Sequence, residues 1–124
     1  MAQNYISVLR EEVTRYSKLN GSIATEFAPL SCECGGEEFY LFSDDESGAA
    51  FVECPLCDKQ YDILNSREYA EEIVQNTCNC GVETLVVGVG VSKHENSHDI
   101  DWAYVGAHCR SCGLSGVYAD WVER

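Results

Sequence analysis

Cations are scarce in this 124-residue chain: eight Lys and Arg stand against 21 Asp and Glu, for a formal net charge of −13. Nucleic-acid affinity rests mainly on neutralising phosphates with Lys and Arg, so direct nucleic-acid binding is not expected. Long apolar runs are also missing. None approaches the roughly 18 residues a membrane-spanning helix needs, and no membrane association is expected. The opening MAQNYISVLREEV has neither a basic n-region nor an apolar core, so no secretory leader is expected. A glycine-rich phosphate loop and a calcium-loop pattern are both lacking. No small-molecule substrate is implied.

What the chain does have is cysteine, in one pattern used twice. Cys32-x-Cys34 is followed by Cys54-x-x-Cys57, and Cys78-x-Cys80 by Cys109-x-x-Cys112, which accounts for all eight. Two close pairs separated by a strand-rich insert suit a tetrahedral four-thiolate metal site. Disulfides are the other staple open to a short chain with an even count. A Cys-x-Cys pair is poorly placed to close on itself, however, and metal is the better reading. Free thiolates of this kind belong in a reducing compartment, so the expected localisation is cytoplasmic. Each half is too short for a secure core without a staple.

Hydrophobic spacing predicts an amphipathic helix over residues 4–19, with Ile6, Leu9, Val13 and Tyr16 on one stripe, Asn4 as its cap and Gly21 past its end. The stripe is expected to pack on the first cysteine-bearing unit. Residues 22–30 read as a loop. Glu37–Phe42 and Ala49–Glu53 read as a hairpin across the acidic turn 43–48, with a third strand over Lys59–Leu64. Asn65 and Glu68 have capping-box spacing, which predicts a helical linker through about Gln75 with Tyr69, Ala70, Ile73 and Val74 on its buried side. The second half repeats the plan with strands at Glu83–Ser92, Ile100–His108 and Leu114–Val122. Cys34-Gly35 matches Cys80-Gly81, Ala49–Val52 aligns with Ala103–Gly106, and Tyr61 with Tyr118, which points to internal duplication. Gly88 and Gly90 alternate within a β run, where they signal a bulge or a close backbone approach.

The two cysteine sets resemble those of the zinc ribbon family, over Ser31–Leu64 and Thr77–Val122. The resemblance implies a small metal-stabilised α+β fold: two tandem zinc-ribbon β units with an N-terminal helix and a helical linker. Its segments are 1–30 (helix and loop), 31–64 (first ribbon), 65–77 (linker helix) and 78–124 (second ribbon). Two Zn(2+) ions are implied, one held by Cys32, Cys34, Cys54 and Cys57, the other by Cys78, Cys80, Cys109 and Cys112; an arrangement with knuckles crossed between halves stays open. In that family a glycine after the second cysteine lets the turn adopt positive φ. Gly35, Gly81 and Gly113 fit, whereas Asp58 departs from the rule with a residue that tolerates the left-handed region. One residue between the cysteines of each first knuckle, where two are usual, is a second departure. Cys54-Pro55-Leu56-Cys57 also resembles a rubredoxin knuckle, which keeps iron open.

His94-Glu95-Asn96-Ser97-His98 matches the H-E-x-x-H string of zinc proteases. That chemistry needs a helix to aim both imidazoles at one ion, and here the string lies between two β runs among turn formers. A hairpin loop is expected, and His108 reads as an ordinary strand histidine. Four thiolates complete a tetrahedron and leave no position for substrate, so the sites read as structural and the protein as no enzyme.

Charge then directs the functional expectation. From Cys32 to Leu64 nine acids face Lys59 alone. The expectation is a non-enzymatic acidic module that binds a basic protein partner, in character like inhibitors and immunity proteins that neutralise nucleic-acid-acting toxins. Its candidate contacts are Glu37, Glu38, Asp44, Asp45, Glu46 and Asp62 in the first half, with Asp99, Asp101 and Trp102 in the second. The alternative is a zinc ribbon associated with nucleic acid or with the transcription or translation machinery, and an iron electron carrier is a third reading.

Overall fold

A computed structural model describes residues 4–123 of the chain. Helix α1 spans Asn4–Asn20 and stops where Gly21 turns to φ +87°. The capping side chain of Asn4 lies outside the described residues. Leu9 and Val13 are fully buried, flanked by the partly buried Ile6 and Tyr16, so the predicted stripe is the buried face. No helix among the described residues is long and apolar enough to cross a membrane.

Eight strands follow: β1 (Glu26–Pro29), β2 (Phe39–Asp44), β3 (Ala49–Glu53), β4 (Gln60–Asp62), β5 (Val74–Asn76), β6 (Thr84–Lys93), β7 (Ile100–His108) and β8 (Ser115–Val122). They form one antiparallel sheet ordered β4-β3-β2-β6-β7-β8, with β1 added beside β6 and β5 beside β2. The two cysteine-bearing units are therefore halves of one sheet, joined where Phe39 pairs with Leu85 and Tyr40 with Thr84.

Helix α1 covers the second half, not the first. Leu9 and Val13 pack with Val86 of β6 and Tyr104 of β7. Spacing does not announce this, because two glycines create the seat and a third makes room for β1. A Cβ on Gly90 would come within 2.6 Å of Val13, one on Gly106 within 2.5 Å of Val13, and one on Gly88 within 2.3 Å of the Phe27 ring on β1. The alternating glycines thus mark a close approach, by the helix and by β1. The opposite face of β6–β8 packs on the first half: Phe39, Leu41, Ala50, Val52 and Ile63 share a core with Leu85, Val87, Val105, Ala107, Ala119 and Trp121. Covered on both faces, β7 is buried without interruption from Ala103 to His108.

Two expectations need correction, and they have the same cause. Residues 26–29, expected in a loop, form β1, and the helical linker is absent. In its place a single 3₁₀ turn at Arg67–Tyr69 leads into β5. Leu64 and Asn65 both take positive φ, and Ser66 makes no side-chain cap, so the capping box never forms. Instead the Ser66 hydroxyl donates to the Ala50 carbonyl and accepts the Ala50 N–H, while Asp62 accepts the Arg67 N–H. Tyr69, Ile73 and Val74, expected inside, are exposed. Ala28 and Val74 each stand four residues before their half's first cysteine. Ala28 pairs with Val89 on β6, and Val74 with Ser43 on β2. Each repeat therefore begins one strand before its cysteines, and each lead strand pairs in the other half.

The internal alignment also shifts. Counting back from Cys54 and Cys109, Ala50 and Val52 correspond to Val105 and Ala107, all of them core residues. The alignment of Ala49 with Ala103 is one residue out, which in a strand exchanges the two faces. Counting forward from Cys57 and Cys112, Tyr61 corresponds to Gly116 and not to Tyr118.

Candidate metal centres

The four knuckles are built by the same backbone hydrogen bonds. Gly35 and Gly81 donate their N–H to the carbonyls of Cys32 and Cys78, and Asp58 and Gly113 to those of Cys54 and Cys109, all at 2.8–2.9 Å. These four residues carry positive φ, from 65° at Asp58 to 96° at Gly81. Asp58 thus takes the left-handed turn a glycine takes elsewhere. Backbone N–H groups also point at sulfur: Cys34 and Gly36 donate to the thiolates of Cys32 and Cys34, as Cys80 and Val82 donate to those of Cys78 and Cys80. Such donors spread the charge of the thiolates and fix their direction.

The knuckles bring four sulfurs together in each half, with all Sγ atoms of a tetrad within 4.8 Å of one another. Cys32, Cys34, Cys54 and Cys57 form the first tetrad; Cys78, Cys80, Cys109 and Cys112 form the second. No knuckle is crossed between halves. Cys32 lies 3.4 Å from Cys57 and Cys34 lies 3.6 Å from Cys54; the second tetrad repeats these as 3.4 Å for Cys78 and Cys112 and 3.6 Å for Cys80 and Cys109. A tetrahedron with metal–sulfur bonds of about 2.3 Å places its sulfurs about 3.8 Å apart. These two pairs in each tetrad lie within a few tenths of an ångström of that figure, and the tetrads are positioned to bind two metal ions. In each, two cysteines are buried (Cys32 and Cys54, Cys78 and Cys109) and two are exposed.

The first tetrad has a feature that no cysteine spacing could announce. Tyr61, on β4, donates its hydroxyl to Cys32 Sγ at 3.3 Å. That hydroxyl and the Cys34 N–H pull the Cys32 thiol down to about 6. In the second half the Cys112 N–H, with that of Ser111, draws Cys109 down to about 7.

The proposed partner contacts are scattered. Glu37 accepts the Tyr5 hydroxyl at 3.2 Å, Glu38 pairs with Arg110 at 3.5 Å, and Asp62 is spent on the Arg67 N–H. Asp101 accepts the Ser22 hydroxyl at 3.4 Å, and Asp99 is exposed in the β6–β7 turn. Trp102 is half-buried against α1 and donates its indole N–H to Asp120 at 2.9 Å. Asp44 is no surface contact: it is 6% exposed, and its carboxylate accepts the N–H groups of Glu72, Glu71 and Ser47. Those donors hold it well below the usual carboxylate range.

Asp45 and Glu46 do share a place. Together with Glu71, Glu72 and Val74 they line an open groove of about 660 Å³ over the β2–β3 turn. Glu71 and Glu72 were missed because the predicted helix placed them elsewhere. His94–His98 forms the β6–β7 hairpin turn, closed by the His94 N–H to the Asp99 carbonyl at 3.0 Å, with Asn96 at φ +61°. Both histidines are exposed and belong to neither tetrad.

Compared with protein-family models, with curated proteins and with solved structures, the chain matches none.

Proposed function

We propose that the protein is a pair of fused zinc ribbons serving as a non-enzymatic binding module for a basic protein, of the kind that inhibits a cationic, nucleic-acid-acting partner. The ions are zinc, one per tetrad. Four thiolates fill the coordination sphere, so their role is to hold the fold. A reducing cytoplasm is the setting such thiolates require. Metal analysis of the purified protein is expected to give two zinc ions per chain and no visible colour. Ferric tetrathiolate absorption would overturn the choice of zinc.

The observation that carries the binding reading is the groove over the β2–β3 turn. Asp45, Glu46, Glu71 and Glu72 line it without a Lys or Arg among them. The exposed Tyr69, Ile73 and Val74 stand in the same segment as its two glutamates. Charge of one sign speeds the approach of a basic partner, and adjoining apolar side chains give it something to bury. Four of the eight Lys and Arg are already paired with acids: Arg15 with Glu12, Lys59 with Glu33, Lys93 with Glu26 and Arg110 with Glu38.

The test is a nuclease-treated pull-down from the source cells, eluted by stepped salt and read by mass spectrometry. It is run beside a variant with Asp45, Glu46, Glu71 and Glu72 changed to Ser. One basic protein in stoichiometric yield is expected, associating about tenfold or more slowly with the variant. Equal capture by the variant would remove the groove from the reading. Binding that vanishes with nuclease would replace the basic protein with nucleic acid.

A further inference from the structure

The two tetrads agree in ligand order, in sulfur–sulfur distances and in which cysteines face solvent. They differ in one side-chain donor to sulfur. Tyr61 Oη donates to Cys32 Sγ at 3.3 Å and accepts the Glu33 N–H at 3.1 Å, so the hydroxyl is oriented from both sides. Its ring stands edge-on to Phe39 with centroids 6.3 Å apart, and Lys59 Nζ lies 5.6 Å from the ring centre. The corresponding position in the second half is Gly116, which has no side chain to offer. Tyr118 lies beside the second tetrad and packs on the core, but its hydroxyl makes no hydrogen bond to sulfur. Arg110, the cation next to Cys109, is turned to Glu38 and to the Tyr5 ring.

We propose that the two metal centres are chemically unequal, and that Tyr61 is a positioning residue that makes the first the slower to surrender its ion. The proposal rests on both tetrads holding metal. Four thiolates around a divalent ion carry a net charge of −2, concentrated on sulfur. A hydroxyl that donates to one of them withdraws part of that charge, which makes the sulfur a poorer nucleophile and fixes it on the ion. Outer partners of this kind are worth about 10- to 100-fold in metal retention. The second centre, with the same two of its cysteines exposed and no side-chain hydroxyl on sulfur, is the one an electrophile opens first.

The experiment treats the zinc-loaded full chain with excess N-ethylmaleimide, which is uncharged and so indifferent to the acidic surface. Each attacked thiolate adds to the maleimide double bond, the neighbouring carbon takes a proton from water, and the zinc–sulfur bond breaks. Freed zinc is followed with a colorimetric chelator, and quenched samples are mapped by peptide mass. Two phases of one ion each are expected, with label appearing first on Cys78, Cys80, Cys109 and Cys112. Tyr61→Phe keeps the ring and removes only the hydroxyl. It should speed the slow phase about tenfold or more, whereas Tyr118→Phe should change neither phase. A single phase, earlier labelling of the first tetrad, or an unchanged slow phase in Tyr61→Phe would overturn the inequality. The labelling order is read on the unmodified chain, so the proposal stays exposed even if a variant fails to fold. A protein purified without two ions would overturn the metal reading itself, and a two-zinc protein with one phase would overturn the inequality alone.

Discussion

Asp44 lies in a run of acids that reads as a solvated turn, yet folding turns its carboxylate inward onto three backbone N–H groups. Two of these donors come from Glu71 and Glu72, a long way off in sequence, and nothing local distinguishes Asp44 from Asp45. The asparagine variant keeps the shape but sets an NH₂ where one oxygen accepts. Asp44→Asn is therefore expected to lower the thermal midpoint at pH 7 by several degrees. Because the folded carboxyl titrates below its ordinary value of about 3.9, its contribution is complete above that pH and fades as acid approaches the folded pKa. The gap between wild type and variant should stay constant from pH 7 to about pH 5. Melts across that range check it, and a gap that closes near neutrality would contradict the inward carboxylate. The cysteines are the opposite case: their spacing alone located the members of both tetrads, because a knuckle is a local structure. Tyr61 was legible as a strand residue only, since its role depends on the register of β4 against the first knuckle.

At the scale of elements, strands whose patterns repeat were legible to within a residue or two, and so was α1. What α1 packs against was not. Its seat is made by missing side chains at Gly90 and Gly106, and absent atoms leave only the hint of alternation. Gly106→Val is expected to lift the helix from its seat and cost about 1–3 kcal/mol or more, as overpacking does. Urea denaturation measures this cost. Adding Val13→Ala should make the pair cost less than the sum of the two single changes; strict additivity would show that Val13 and Gly106 do not meet. The linker failed for a different reason. Its apolar residues have helical spacing, but the edge of β2 offers backbone hydrogen bonds to Val74–Asn76, and Asp44 gathers the N–H groups just before them. Tertiary partners outweighed local propensity.

For the molecule as a whole, the shared core makes the halves interdependent. Cys54→Ser removes a sulfur from the first tetrad only, yet Val52 and Phe39 beside it pack with the core residues of β6–β8. Hydrogen exchange should therefore show faster exchange in β6–β8 as well as in β2–β4. Full protection of the second half would mean that the units fold independently. The reciprocal lead strands deepen this coupling. Phe39 and Leu85 occupy the same place in their repeats, and they pair with each other. A residue that pairs with its own counterpart marks a twofold axis. The contact between the halves is thus isologous, as in a homodimer that has traded an arm from each subunit. Here both subunits are one chain, so the exchange is intramolecular and does not depend on protein concentration. It also releases the halves from identity: one has gathered the acidic charge and the other has taken the helix, a division of labour closed to a true homodimer.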